Sequence, residues 1–405
     1  MSFHPSSQIL SNYADILVNF ALNGGKGVKK GEVVFLQIPE SAKPLLLPLY
    51  QTVLKAQAHP IIQYLPVEFE KEFFSLASDD QISFFPSLFL KGKIQQADHI
   101  ITILAETDLH ELEGVDPLKI MIRNQSLKPY KDWRDLKESK GKFTWTLGLY
   151  GTSAMAKEAG MTIKSCWNQI IRACYLDDPN PLTRWQTTQS SIRRLTRKLN
   201  NLPIDTLHIR GQDTDLTLKL GSHRLWLGCD GRNIPSFEIF TSPDCRYTEG
   251  HIFFDQPLYR DGNLVKNIYL EFRQGRVVKA TASYGEKWLH QMLKVPNADL
   301  IGEFSLTDKR FSRINHFMAE TLYDENFGGR FGNCHLALGS SFHDCYSGNP
   351  VKLNKNSWVS LGFNDSALHT DIISTTDRIV TATLKSGKEI TVYQNGQFLP
   401  SLLTC

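Results

Sequence analysis

The chain has 405 residues, 41% of them hydrophobic and 21% charged, with a formal net charge of +3. That length predicts two domains, and the composition is too apolar for a disordered chain. So small a net charge argues against nucleic acid or an anionic membrane as the main partner.

In chain order, Ile9, Tyr13, Ile16, Leu17 and Phe20 recur at helical spacing, and the run Val33–Ile38 follows as a short buried strand. The segment GGKGVKKG between them lacks a Gly-Lys-Ser/Thr ending and reads as a turn into that strand, not a phosphate loop. A helix over Leu45–Ala56 and strands Ile61–Leu65 and Ile100–Leu104 come next. Strands alternating with helices predict a parallel α/β sheet with right-handed crossovers. After Lys140 the pattern reads as helical, with Ser153–Gly160, an amphipathic Thr162–Tyr175 and, past the breaker-rich DDPNP, a basic helix through Leu199.

From Leu202 the character is β-rich: Thr206–Arg210, Asp215–Leu220 and Arg224–Leu227 read as close-spaced strands. Ile268–Phe272 with Arg276–Ala282, and Ile379–Leu384 with Glu389–Tyr393, read as hairpins. The predicted fold class is therefore an N-terminal α/β domain with a parallel sheet, 1–185, and a β-rich α+β C-terminal domain, 186–405. The beginning of the sequence lacks the pattern of a signal peptide, and no stretch approaches 18 uninterrupted apolar residues. The seven cysteines, Cys405 among them, form no C-x-x-C pair and read as free thiols of a cytoplasmic protein.

The C-terminal half gathers the metal-ligand types at turn-rich places. Glu238 lies in GRNIPSFEIFTSP, and Glu303 in LIGEFSLTD ahead of an expected helix that begins near Thr307 and covers Lys309–Tyr323. His335 follows NFGGRFGN, whose Gly328, Gly329 and Gly332 permit close backbone approach. His369 and Asp371, two apart on an extended strand, face the same side. Carboxylates and imidazoles without a thiolate suit zinc, cobalt or manganese, and five such groups exceed the needs of one tetrahedral site. Glu325, in YDENFGG, is a further acid, read either as a proton acceptor or amine-binding group or as an exposed acid past that helix. Short motifs of this kind recur by chance, so spacing alone leaves each residue open.

Taken together, ADHIITILAETDLHELEGVDPLKI, MAKEAGM, RACYLD, GRNIPSFEIFTSP, IGEF, YDENFGG, HLALGSSF and NDSALHTDI resemble, in order, the signature stretches of the thermophilic-type metalloaminopeptidases. That is the group containing aminopeptidases T and S. The resemblance implies two divalent ions (Zn, Co, Mn or Mg) held by Glu238, Glu303, His335, His369 and Asp371. It implies Glu303 or Glu325 as the proton-transfer acid, peptide substrates with a free N-terminus, and a homodimer. One position departs from the pattern: where the family carries a tyrosine after its histidine motif, this chain has Phe342, with Tyr346 and His343 as substitutes in the same loop. Loss of one oxyanion donor costs roughly 2.7–4 kcal/mol of transition-state stabilisation. The alternatives are a metal-dependent amidase acting on small molecules and a catalytically weakened, peptide-binding member.

Overall fold

A computed structural model describes residues 3–402, so Cys405 lies outside the described residues. The first half folds around a sheet with the order β2, β1, β3, β4 and then Asn233–Ile234, all parallel. Here β1 is Val33–Pro39, β2 His59–Leu65, β3 His99–Leu104 and β4 Thr144–Leu149. Helix α1 (Ser7–Asn19) starts at Ser6, whose side chain accepts a hydrogen bond from the Ile9 N–H. Its residues Leu10, Tyr13, Ala14 and Leu17 lie at helical spacing and are buried in the core with α2 (Lys43–Lys55). Val34, Leu36, Ile38, Ile101 and Ile103 join that core from one face of the sheet. The opposite face carries Gln37, Ile100, Thr102, Leu104, Trp145 and Leu147, which line open cavities. Strand β4 falls where the sequence reads as helical. Its run TWTLGL favours extended backbone, and the Tyr13 hydroxyl accepts the Leu149 N–H at 2.8 Å.

The second half holds two large antiparallel sheets and a two-stranded one, Leu258–Arg260 with Asn263–Val265. The larger has the order Arg276–Thr281, Ile268–Arg273, Glu249–Phe254, Thr214–Lys219, Ile204–Gly211, Arg378–Leu384, Glu389–Gln394 and Gln397–Phe398, and it contains both predicted hairpins. The smaller runs β8, β7, β6, β5 and then Leu227–Gly228, with β5 at Glu238–Thr241, β6 at Ile301–Thr307, β7 at Asn333–Gly339 and β8 at His369–Ser374. The expected fold class is what the structure has: a parallel α/β sheet first, antiparallel β structure after it.

Two further local expectations fail. Of the expected strand Arg224–Leu227 only Leu227 is in a strand, Leu227–Gly228. The Arg224 guanidinium donates to the carbonyls of Ser242, Ser222 and Leu361 and stacks 3.7 Å from the Phe363 ring centroid, which holds this segment out of the sheet. The helix expected over Lys309–Tyr323 is confined to Thr321–Asp324. Polar side chains capture the backbone there. Asp308 accepts from the Arg310 and Phe398 N–H groups, Ser312 donates to the Asn326 carbonyl, and Asp324 accepts from the Met318 and Glu320 N–H groups.

Candidate metal centre

Strand register builds the site. In an antiparallel sheet directly paired residues point to the same face, as do residues two apart on one strand. Glu303 on β6 pairs with Ala337 on β7, which pairs with Asp371 on β8. His335 precedes Ala337 by two and His369 precedes Asp371 by two, so all four reactive side chains share one face. Ala337, between the two carboxylates, is too small to fill the gap. A bulge between Ile301 and Glu303 brings Glu303 into this row. A side chain at Gly302, the residue it skips, would meet the Ser340 and Gly339 carbonyl oxygens at 2.3 and 2.5 Å, so only glycine fits.

Glu238 enters from β5, opposite Thr307. Asn326 fixes that entry: its side-chain oxygen accepts the N–H groups of both Phe237 and Glu238. Glu325, just before it in the chain, caps the short helix Thr321–Asp324 and is buried rather than exposed. Its Oε1 accepts from Asn233 Nδ2 at 2.5 Å, tying the last strand of the parallel sheet to the site. Gly332, at φ +59°, lies where a side chain would strike the Thr307 carbonyl and the Tyr393 hydroxyl, as the close approach in NFGGRFGN requires.

His335 Nε2 stands 3.3 Å from Glu238 Oε2 and 3.3 Å from Glu303 Oε1. His369 Nε2 stands 3.4 Å from Glu303 Oε2 and 3.3 Å from Asp371 Oδ1. Glu303 therefore turns one oxygen to each imidazole. Three overlapping groups offer ligand atoms within 4.8 Å of one another: Glu238, Glu303 and His335; Glu303, His369 and Asp371; Glu325, His335 and Asp371. All six acids and histidines singled out in the sequence thus converge.

Electrostatics mark this as a place that wants positive charge. Glu238, Glu303, Glu325 and His335 are buried, while His369 and Asp371 open onto a cavity of about 670 Å³. Burial, followed by the charges of Glu238 and Asp371, pushes the Glu325 carboxyl well up, and burial also raises Glu238. Burial opposes protonation of both imidazoles, yet their carboxylate neighbours prevail. His335 is raised well above its ordinary value, and His369, beside Asp371 and Glu303, is pushed up to about 10. Four carboxyl groups crowd two imidazoles, so the raised carboxyls and the protonated imidazoles alike report unmet positive charge at the site. Among the described residues the buried Nδ1 of His335 also has no hydrogen-bond partner. A set of crowded carboxylate oxygens and imidazole nitrogens, whose protons a divalent cation would displace, fits divalent cations.

Phe342 sits against this centre, its ring centroid 4.7 Å from that of His369 and 5.7 Å from that of Phe240. Neither substitute in its loop replaces a phenol there. Tyr346 packs on Trp358 and Phe363, and His343 stacks on Trp358 at 3.9 Å, where burial lowers its pKa to about 4. The sequence reasoning passed over Arg232, Asn233 and Asn326. Two of them lie inside GRNIPSFEIF and the third inside YDENFGG, so the motifs themselves held the signal that could have found them.

A family model described as thermophilic metalloprotease (M29) matches residues 6–398. Aminopeptidase AmpS of Bacillus subtilis is 25% identical over 417 residues, covering 97% of this chain and 98% of its own length. Aminopeptidase T of Thermus thermophilus is 24% identical over 408 residues, covering 95% and 97%. The solved structure of wild-type AmpT from Thermus thermophilus has the same fold, with a TM-score of 0.81 at 21% identity over 97% of this chain and 99% of that one. The match over nearly the whole chain, together with a convergent carboxylate–imidazole centre, shows that this protein belongs to the thermophilic metalloprotease (M29) family.

Proposed function

We propose that the protein is an aminopeptidase that removes N-terminal residues from peptides, using two divalent ions (zinc, cobalt, manganese or magnesium) held by Glu238, Glu303, His335, His369 and Asp371. The observation that carries this reading is the split orientation of Glu303, one oxygen toward His335 and the other toward His369. It creates two ligand groups with one shared carboxylate, Glu238–Glu303–His335 and Glu303–His369–Asp371. The names of the relatives support the exopeptidase reaction.

Divalent ions bound there supply Lewis acidity toward the scissile carbonyl and toward an attacking water. The remaining steps fall to the chain. With the Glu303 oxygens turned to His335 and His369, Glu325 would be the proton carrier: Asn233 and Asn326 hold its Oε1, which leaves Oε2 to take a proton and return it to the leaving amine. The cavity around the centre is lined by further acids, Glu70, Glu106 and Glu320 among them, an environment that favours a substrate's α-ammonium group. Phe342 brings only an apolar ring where a hydroxyl would stabilise developing oxyanion charge, and this favours a second reading, a member of reduced turnover that still binds peptide.

Other parts of the reading are proposals of the same kind. The division into 1–185 and 186–405 makes the helix Pro181–Asn200 the connection between halves. A homodimer gains support from Phe84, Leu88 and Phe89, which are 63, 88 and 63% exposed on neighbouring turns. A cytoplasmic location gains support from six free, buried cysteines. Among the described residues no helix is long and apolar enough to cross a membrane.

Metal-stripped protein given back zinc, cobalt or manganese is expected to cleave a leucyl peptide and to leave its N-acetylated copy intact. Cleavage of both would instead indicate an amidase. His335→Ala and Asp371→Ala are expected to lose this activity with unchanged circular dichroism, and full activity in both would remove them from the site. Phe342→Tyr is expected to raise kcat by about tenfold or more, and an unchanged kcat would make Phe342 a space-filling residue.

The metal-free protein gives a pH signature. His369, raised from 6.5 to about 10 by its carboxylates, contributes stability that is complete below about pH 6.5 and is lost as pH rises toward 10. A metal must displace that proton, so the increase in melting temperature on adding cobalt should grow across this window. A shift independent of pH would contradict ligation by His369. Sedimentation should show a dimer that Leu88→Glu with Phe89→Glu converts to monomer; an unshifted boundary would place the interface elsewhere.

A further inference from the structure

A second cavity, of about 700 Å³, adjoins the first across Thr102, Trp145, Leu147, Arg232, Phe342 and His369. The exposed face of the parallel sheet is the floor of both. Along β3, Ile100 lines only the second cavity, Thr102 lines both, and Leu104 lines only the first. Those three residues point the same way and span roughly 13 Å at the usual rise of a strand. Arg232 stands at the junction, its guanidinium 5.7 Å from the Phe342 ring centroid and 5.8 Å from that of Trp145.

The two chambers have opposite charge. The first is dominated by the carboxylates described above. In the second the acids are already taken: Asp135 by Lys131 at 2.8 Å, and Glu138 and Asp344 by Arg232 at 2.9 and 2.6 Å. Lys128 is held by Asp132 and Asp365. Arg260, which lines both cavities, has Asp261 at 3.8 Å. That leaves Lys93 and Arg134. Among the described residues neither has a carboxylate within ion-pair distance, and the buried Nε of Arg134 has no hydrogen-bond partner. The Arg134 guanidinium lies 5.5 Å from the Trp145 ring centroid, against the sheet floor. Lys93 is buried, donates to the neutral Gln63 at 2.6 Å and lies 5.8 Å from the Phe35 ring centroid. Burial, and then the nearby Arg134, lower its pKa to about 8. Two adjacent cations without a counter-charge, facing one cavity, form a site for an anion.

Resting on the aminopeptidase reading above, we propose that Lys93 and Arg134 bind the carboxylate of a short peptide whose N-terminus lies at the metal centre. An extended peptide advances about 3.3–3.6 Å per residue, so one of roughly three to five residues spans the shared floor. The negative first chamber receives the ammonium end and the positive second chamber the carboxylate end. Peptide length and a free carboxylate thereby become specificity determinants. Either the C-terminus or an acidic side chain could supply the carboxylate, and both are tested.

The experiment uses metal-loaded protein and a tri-leucine analogue whose first peptide bond is reduced to an uncleavable methyleneamine, as free acid and as C-terminal amide. Calorimetry should show the acid bound about tenfold tighter, the scale of one hydrogen bond to a charged group. Arg134→Gln and Lys93→Met should bring the acid-to-amide ratio close to one, with Arg134→Lys restoring part of it. The corresponding Leu-Glu-Leu amide analogue, if it binds like the acid, would assign the site to an acidic side chain instead of the C-terminus. Equal binding of all three by the native protein would overturn the proposal. Hydrolysis of ordinary tri-leucine separates the two readings. Cleavage without carboxylate preference removes this site and keeps the aminopeptidase, whereas preference without cleavage does the reverse.

Discussion

Carboxylates brought together out of water repel one another and lose their hydration, so a cluster of Glu238, Glu303, Glu325 and Asp371 holds together only with protons or other positive charge among them. In the metal-free protein that charge is carried by His335 and His369, which retain protons far above their ordinary range. Much of the surrounding architecture follows from holding these groups in place. The bulge at Gly302 sets the register, Ala337 leaves the space, and Asn326 and Asn333 secure the backbone around Glu325. Such a cluster is under electrostatic load until cations arrive, which couples metal affinity to pH and to stability.

The same centre draws on both halves of the chain. Asn233 belongs to the parallel sheet yet donates to Glu325, and Arg232 beside it carries charge between Glu138 of the first half and Asp344 of the second. Substrate space is likewise shared: the floor is the parallel sheet, and the reactive wall is the small antiparallel sheet. In the proposed reading, opposite charge at the two ends of that space gives a bound peptide a direction. Chemistry at one sheet and selection along the other can then change separately, and Phe342, at the junction, touches both.

Much of this fold is legible in the amino-acid order. The alternation of helices and strands up to Leu104, both late hairpins and the shared facing of His369 and Asp371 follow from hydrophobic period and from strand geometry, which are local properties. Where local reading fails, polar side chains have taken over backbone hydrogen bonds: Asp308, Ser312 and Asp324 dissolve the helix expected after Thr307, and Arg224 withholds a strand. Periodicity does not register such captures, because each partner lies outside the repeating pattern.

Composition, period and ordered motifs suffice for the fold class, the family resemblance and the choice of candidate ligand residues, so all three belong to the sequence. The folded arrangement was needed to learn that Glu303 divides its two oxygens between His335 and His369, and that Glu325 is buried instead of solvated. It was needed equally to bring Lys93 and Arg134, 41 residues apart, into one cavity without a counter-charge. The reason is geometric: strand register and helix docking set distances between residues far apart in the chain, and charge acts through those distances.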